Sequence, residues 1–175
     1  MNTPNKLSLI RIGCIPLIVL MMSLSEPWCR WAAVFLFAFA SFTDFLDGHL
    51  ARKHNLITDF GKFIDPVADK LLVLSTFIML SDQKLLPAWF IIVILARELA
   101  VDGLRLVAMT KNLVIAAGPF GKIKTFSQML LILYLMVFRL PFSHWLTLVF
   151  AVWVLFATVY SGIDYFLKNR SVFAS

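Results

Sequence analysis

The sequence has little charge and little cysteine. Only 15% of its 175 residues are Asp, Glu, Lys or Arg, whereas 61% are hydrophobic. A soluble domain of this length needs far more polar residues to cover its surface, so a soluble fold is excluded. Cys14 and Cys29 are too few for a disulfide scaffold or a cysteine-ligated metal site. Repeats, low-complexity tracts and long linkers are also missing, which predicts a single domain over residues 1–175.

Apolar runs long enough to cross a bilayer recur along the chain and predict an all-α integral membrane protein. We expect six transmembrane helices and a short N-terminal interfacial helix. Gly13 and Pro16 interrupt the first run, so the interfacial helix is expected to bend into the first span there. The six spans are expected at about residues 7–24, 31–52, 58–80, 88–107, 126–138 and 146–166.

The basic residues predict the orientation of the chain. Its net charge of +6 could indicate a nucleic-acid partner, but the hydrophobicity favours the anionic cytoplasmic face of a membrane instead. With both termini cytoplasmic, only Arg30, Lys84 and Arg139 lie on the outer side. This asymmetry predicts a multi-pass protein of the cytoplasmic (inner) membrane, with its polar site toward the cytoplasm.

Four of the ten acidic residues fall within one short stretch. Asp44 and Asp47 are three residues apart, and Asp65 and Asp69 are four apart, so each pair shares one face of a helix. Carboxylates are costly inside a membrane, and such a cluster therefore indicates a functional site. Facing each other, the two pairs would offer four hard oxygen ligands, which suit Mg²⁺, Mn²⁺ or Ca²⁺. Two such ions could clamp a pyrophosphate.

An alternative is that each carboxylate pairs with a nearby cation at a solvated helix end. Those cations are Arg52, Lys53, Lys62 and Lys70. This interpretation explains the charges but not the small residues between them. Gly48, Ala51 and Gly61 each lie within one helical turn of a carboxylate, where a small side chain lets a ligand approach the backbone.

The pattern Asp-x2-Asp-Gly-x2-Ala-Arg-x8-Gly-x3-Asp-x3-Asp, from Asp44 to Asp69, resembles the signature of the CDP-alcohol phosphatidyltransferase family, and every fixed position is filled. The resemblance implies transfer of a phosphatidyl group from a CDP-linked lipid to an alcohol, with release of CMP. It implies that Asp44, Asp47, Asp65 and Asp69 hold two divalent ions, Mg²⁺ or Mn²⁺. It also implies that Asp69 is the catalytic general base, and that the protein is a homodimer.

The resemblance further implies a site for the cytidine nucleotide and its phosphates. The residues assigned to it are Asn5, Asp47, Gly48, Ala51, Arg52 and Gly61. Asn5 and Arg11 are expected at the membrane surface beside this site. Arg11 has two interpretations: a ligand role, or a side chain that simply snorkels to the surface.

A second polar group is expected to bind the phosphate of the acceptor. Arg97, Glu98, Asp102 and Arg105 recur at about one or two helical turns and form a polar stripe toward the bundle interior. Pairing among these four charges is one interpretation, and a phosphate-binding arginine fork is the other. Lys122 and Lys124 lie at a helix start, which indicates an anion site or, alternatively, a cytoplasmic topology signal.

Shorter stretches outside the motif resemble the bacterial members of the family that use glycerol 3-phosphate. They are residues 4–11, 96–98, 103–105 and 121–125. The cations Arg97, Arg105, Lys122 and Lys124 also suit an anionic acceptor. The expected partners are therefore CDP-diacylglycerol, sn-glycerol 3-phosphate and membrane lipids. The alternatives are serine or inositol phosphate as the acceptor and, in a different class, a cation transporter, which inverted repeats and broken helices would have indicated.

Overall fold

The computed structural model describes the backbone of residues 3–54, 59–111 and 118–170, and the side chains of residues 8–43, 64–111 and 118–170. These ranges contain six α-helices and no strand, which confirms the predicted all-α class. The helices are α1 (Thr3–Ser23), α2 (Pro27–His54), α3 (Asp59–Asp82), α4 (Ala88–Thr110), α5 (Pro119–Phe138) and α6 (Trp145–Lys168).

Proline sets two helix starts earlier than the sequence analysis placed them. α2 begins at Pro27 and α5 at Pro119, four and seven residues before the expected span starts at 31 and 126. Proline suits the first helical position because its missing N–H would have no helical acceptor there. Arg139 follows α5 with a φ of 52°, and its N–H donates to the Leu135 carbonyl at 2.9 Å, as a left-handed helix cap does.

The N-terminal helix is continuous. α1 runs from Thr3 to Ser23 with Pro16 inside it, so the expected interfacial segment and the first apolar run belong to one helix, and the interfacial position of its start stays a prediction. A proline removes only one hydrogen bond of its own helix, and a helix packed against neighbours tolerates that loss. One helix therefore carries both the polar N-terminal segment and the first apolar run.

The described chain divides into two compact units, of which the first comprises Met1–Gln83 and Ile132–Arg139. Within it, α1 packs against α2 and α3. Ser8 Oγ donates to Asp65 Oδ1 at one end of this bundle, and Gln83 Nε2 donates to the Met22 carbonyl at the other, at 2.7 Å. Because one bond joins the first parts of α1 and α3 and the other joins their ends, the two helices run parallel. The side chains buried between the helices include Cys14, Ile18, Cys29, Ala33, Phe37 and Leu72.

The second unit comprises Lys84–Leu131 and Leu140–Ser175. Its α4 packs against α6 around a small core, formed by Val101, Leu104, Ala108, Tyr165 and Phe166. The first part of α5 joins α6 through two hydrogen bonds. Gln128 Nε2 donates to Thr158 Oγ1 at 3.3 Å, and Trp153 Nε1 donates to Ser127 Oγ at 3.1 Å.

Large apolar side chains remain on the outer faces of several helices. On α2, Trp31, Phe35, Phe39 and Phe42 follow one another at helical spacing, and Phe35 is 70% exposed. A soluble protein rarely exposes such a stripe, whereas lipid covers it. In the described ranges, α5 and α6 are long and apolar enough to cross a membrane. The count of six spans and the cytoplasmic termini stay predictions.

Candidate functional site

The acidic motif lies on two helices of the first unit. The backbone is helical at Asp44 and Asp47 in α2, and at Asp65 and Asp69 in α3. Each pair therefore shares one helix face, as its spacing predicted. Several predicted ligands have side chains outside the described residues, and their roles stay predictions. They are Asn5, Asp44, Asp47, Gly48, Ala51, Arg52 and Gly61.

The two carboxylates of α3 are partly buried against α1. Ser8, which is fully buried, donates its hydroxyl to Asp65 Oδ1, and this bond fixes one carboxylate oxygen relative to α1. Asp69, one helical turn further on, has its Oδ1 shielded from solvent. The sequence analysis did not include Ser8. Its only sequence signal is a polar residue three positions before Arg11, on the same face of α1.

Arg11 is buried rather than at the surface. Its side chain is 1% exposed, so the snorkelling interpretation was wrong. Snorkelling keeps the charged group in water, whereas a buried charge must be held by protein groups. The face of α1 that brings Ser8 to Asp65 therefore also places a cation inside the first unit.

The donor chemistry of this region suits a hard divalent cation. Among the side chains that the structure describes, no three His, Cys, Asp or Glu residues come together as a metal site. Two of the four predicted ligands, Asp44 and Asp47, are outside that set. The oxygen ligands described at this end of α3 are the carboxylates of Asp65 and Asp69 and the hydroxyl of Ser8. Mg²⁺ and Mn²⁺ prefer such oxygen ligands. Cys14 and Cys29 are buried free thiols of the same unit.

In the second unit, Glu98 brings two of the predicted acceptor-binding cations together. Lys124 Nζ of α5 donates to Glu98 Oε1, and Arg97 Nη1 approaches the same oxygen at 3.3 Å. Arg97 Nη2 also donates to Ser161 Oγ of α6 at 3.1 Å. Glu98 and Lys124 are 8% and 5% exposed. Pairing within the stripe is thus present, with Glu98 as the shared acceptor of Arg97 and Lys124.

The other two predicted acceptor-binding residues have different surroundings. Arg105 Nε donates to the Tyr165 hydroxyl at 3.0 Å, and its guanidinium lies 5.5 Å from the centre of the Tyr165 ring. Lys122 is exposed, unlike the buried Lys124. The sequence analysis missed Ser161 and Tyr165, although their spacing of four residues on α6 places them on one face.

Gly162 permits the approach of α6 to Arg97. A Cβ at this position would lie 3.1 Å from Arg97 Cγ, closer than an ordinary van der Waals contact, whereas a Cβ at Gly103 on α4 would meet nothing within 4 Å. Gly162 therefore lets the Arg97 side chain pack closely against α6, whereas Gly103 makes no such close contact.

We expect Gly162→Ala to leave the protein about 1 kcal/mol less stable than Gly103→Ala, because both alanines favour the helix but only the one at 162 makes the Arg97 side chain move. Gly103→Ala is the matched control and should be neutral or stabilising, because alanine favours the helix. Unfolding in mixed micelles of increasing SDS fraction measures both. Equal stabilities for the two variants would contradict the close packing at Gly162.

Helical bundles with apolar outer faces, a partly buried carboxylate pair and a buried cluster of cations around Glu98 define a membrane protein that handles charged ligands. The model of the CDP-alcohol phosphatidyltransferase family matches residues 1–160. The chain therefore belongs to the CDP-alcohol phosphatidyltransferase family, and the prediction from the Asp44–Asp69 motif is confirmed. The family is membrane-associated and generally uses divalent metal ions.

Three bacterial relatives share most of their length with this chain, and each is a CDP-diacylglycerol–glycerol-3-phosphate 3-phosphatidyltransferase. The relative from Bacillus subtilis is 45% identical over 96% of this chain and 95% of its own length. The one from Rickettsia bellii is 40% identical over 98% and 97%. The one from Escherichia coli is 36% identical over 77% and 76%.

Proposed function

We propose that the chain transfers a phosphatidyl group from CDP-diacylglycerol to sn-glycerol 3-phosphate, with release of CMP, at the carboxylates of α2 and α3. The identity of 45% over nearly the whole chain with an enzyme of this name carries the proposal. The relatives' names give the same donor and acceptor as the sequence analysis, which confirms that prediction. They support neither a serine acceptor nor a cation transporter.

Asp44, Asp47, Asp65 and Asp69 are proposed to hold two divalent ions, Mg²⁺ or Mn²⁺. The partly buried pair Asp65 and Asp69 supports this, because Ser8 fixes one oxygen and leaves hard donors on one face of α3. When bound, the ions would neutralise the pyrophosphate charge and that of the departing CMP phosphate.

Asp69 is proposed to remove the proton from the acceptor hydroxyl. The hydroxyl oxygen forms a bond to the lipid-side phosphorus, and the bond from that phosphorus to the oxygen shared with CMP breaks. The proton passes to an Asp69 oxygen. The place of Asp69 on α3, one helical turn from Asp65, supports this role, because it puts the base beside the proposed ion ligands.

The nucleotide is proposed to bind along α2 and the start of α3. The residues assigned to it are Asn5, Asp47, Gly48, Ala51, Arg52 and Gly61. This assignment rests on their places in the family motif and, for Gly48, Ala51 and Gly61, on side chains small enough for a phosphate to reach the backbone.

The acceptor phosphate is proposed to bind Arg97, Arg105, Lys122 and Lys124. The position of Arg97 and Lys124 side by side at one Glu98 oxygen supports this assignment for these two residues. Arg105 supports it in another way. Tyr165 engages only its Nε, so both terminal nitrogens of the guanidinium can make a forked contact with phosphate oxygens.

The membrane topology, the location and the oligomeric state of the protein are also proposals. We propose six spans in the cytoplasmic (inner) membrane, with the termini and the active site toward the cytoplasm, and a homodimer of the single domain 1–175. The apolar stripe of α2 and the two spanning-length helices α5 and α6 support a multi-pass arrangement.

The test of the proposed reaction is CMP release from CDP-diacylglycerol by the purified chain in detergent. Glycerol 3-phosphate, serine and inositol phosphate are supplied separately, each with Mg²⁺ or Mn²⁺ and again with a chelator. Release only with glycerol 3-phosphate, and only without the chelator, is the expected result. Release with serine or inositol phosphate would contradict glycerol 3-phosphate as the acceptor. No CMP release with any of the three alcohols would favour the transporter alternative.

Ser8→Ala should raise the Mg²⁺ concentration needed for half-maximal activity by about 10- to 100-fold, the usual cost of losing a group that orients a metal ligand. The reason is that Asp65 loses the hydroxyl that fixes its orientation. Ser23→Ala on the same helix is the control, because Ser23 bonds only to its own helix at Val19. The same Mg²⁺ dependence in both variants would remove Ser8 from the site.

Arg105→Ala should raise the KM for glycerol 3-phosphate by about tenfold, the loss expected for a charge-assisted hydrogen bond, and leave the KM for CDP-diacylglycerol unchanged. Steady-state kinetics with each substrate varied in turn measures both constants. Arg170→Ala, at an exposed arginine beyond α6, controls for the change of net charge. Equal rises in both KM values would contradict the assignment to the acceptor.

A further inference from the structure

A cavity of about 280 Å³ lies in the first unit, at the end away from the carboxylates. It is an open cavity lined by the connection between α1 and α2, by Gln83 after α3, and by the end of α5. Gln83 is fourteen residues beyond Asp69, which along a helix is about 20 Å. The proposed reaction therefore does not use this cavity.

Two arginines line the cavity. Neither Arg30 nor Arg139 forms an ion pair among the residues that the structure describes, and Arg30 lies beside the ring of Trp31 at 5.2 Å. Arg30 Nε is shielded from solvent and lacks a hydrogen-bond partner in the described ranges. The carboxylate of Glu26 is the one negative charge in the lining.

The rest of the lining is largely apolar. Its apolar members include Met21, Met22, Leu24, Ala33 and Met136. Such side chains suit the first carbons of an acyl chain better than they suit water. The volume is slightly below that of typical small-molecule pockets, so it fits a headgroup and not a whole lipid.

We propose that this cavity is a second anion site, which binds a phosphate group between Arg30 and Arg139. The phosphate is that of an anionic phospholipid headgroup or a free phosphate ion. Two guanidinium groups at one cavity match the charge and the forked geometry of phosphate oxygens. The methionine side chains in the lining favour the lipid headgroup over a free phosphate ion.

Native mass spectrometry of the full-length chain tests this site without the transferase reaction. The probes are dihexanoylphosphatidylglycerol, inorganic phosphate as a competitor, and zwitterionic dihexanoylphosphatidylcholine. The expected result is one phosphatidylglycerol that the double variant Arg30→Gln/Arg139→Gln binds at least about tenfold more weakly, as for the loss of charge-assisted bonds. Lys84→Gln removes an exposed charge next to Gln83, outside the lining, and should bind as the unchanged chain does.

The arms of the experiment separate the two sources of phosphate. Binding of phosphatidylglycerol that millimolar phosphate does not displace supports the lipid headgroup, and displacement supports a free-phosphate site. Glu26→Gln, which removes the negative charge of the lining, should tighten binding, and it keeps the test decisive if the double variant does not fold. Unchanged binding in the double variant and in Glu26→Gln, or equal binding of phosphatidylcholine, would overturn the proposal.

Discussion

Asp69→Asn is expected to lower the rate of CMP release by about 10³-fold, within the range that a general base contributes, while the protein stays folded in the membrane. Asparagine has nearly the shape of aspartate but cannot take a proton, and it is a weaker ligand for a divalent cation. The last carboxylate of the motif would thus lose both of its proposed roles. The measurement is CMP release at saturating glycerol 3-phosphate.

Asp82→Asn is the matched control for this variant. Asp82 ends the same helix, is exposed, and lies far from Ser8 and Asp65. We expect its activity to remain at the level of the unchanged chain. Substantial activity in Asp69→Asn, together with an unchanged dependence on Mg²⁺, would mean that another group is the base and that Asp69 is not a ligand.

Glu98→Ala is expected to destabilise the protein by about 3 kcal/mol, the usual size for the loss of one partner from a buried ion pair. Glu98 is the acceptor for both Lys124 and Arg97, and alanine would leave two positive charges in a largely buried place without their shared oxygen. Unfolding in mixed micelles of increasing SDS fraction measures the change.

The stability of Glu98→Ala is compared with that of two other variants. Asp164→Ala breaks the pair with Lys168, whose side chain is 59% exposed, and should cost no more than about 0.5 kcal/mol, as surface pairs on a helix do. Glu98→Gln/Lys124→Met removes both charges and should recover much of the loss of Glu98→Ala. If Glu98→Ala were no less stable than Asp164→Ala, the buried network would not hold α4 and α5 as described.

The positions of the helices were predictable because their signals are local. Runs of apolar residues, together with turn residues such as Pro87, placed all six helices. Their ends were less predictable, since Pro27 and Pro119 can stand either in a turn or at the first helical position, and α1 continues through Pro16. Packing against neighbouring helices decides such cases, and it leaves no mark within a short stretch of sequence.

The candidate site also contains residues that the sequence predicts and residues that it does not. The carboxylate pairs could be predicted because spacings of three and four residues have one meaning on a helix. The partners of those residues could not, because they come from other helices. Ser8 reaches Asp65 across 57 positions, and Tyr165 reaches Arg105 across 60. Arg11 was equally ambiguous, since an arginine near a helix end can be buried or exposed without any change in the sequence around it.

The most direct test of the account is the number of Mn²⁺ ions that the purified chain binds. Equilibrium dialysis, with electron paramagnetic resonance on the same samples, should give two ions per chain and a spectrum of two coupled ions, as expected for a pair about 4 Å apart. Asp65→Asn and Asp69→Asn should each reduce the number and abolish the coupling, whereas Asp82→Asn should change neither. A single uncoupled ion, or two ions retained in both variants, would contradict the carboxylate site of α2 and α3.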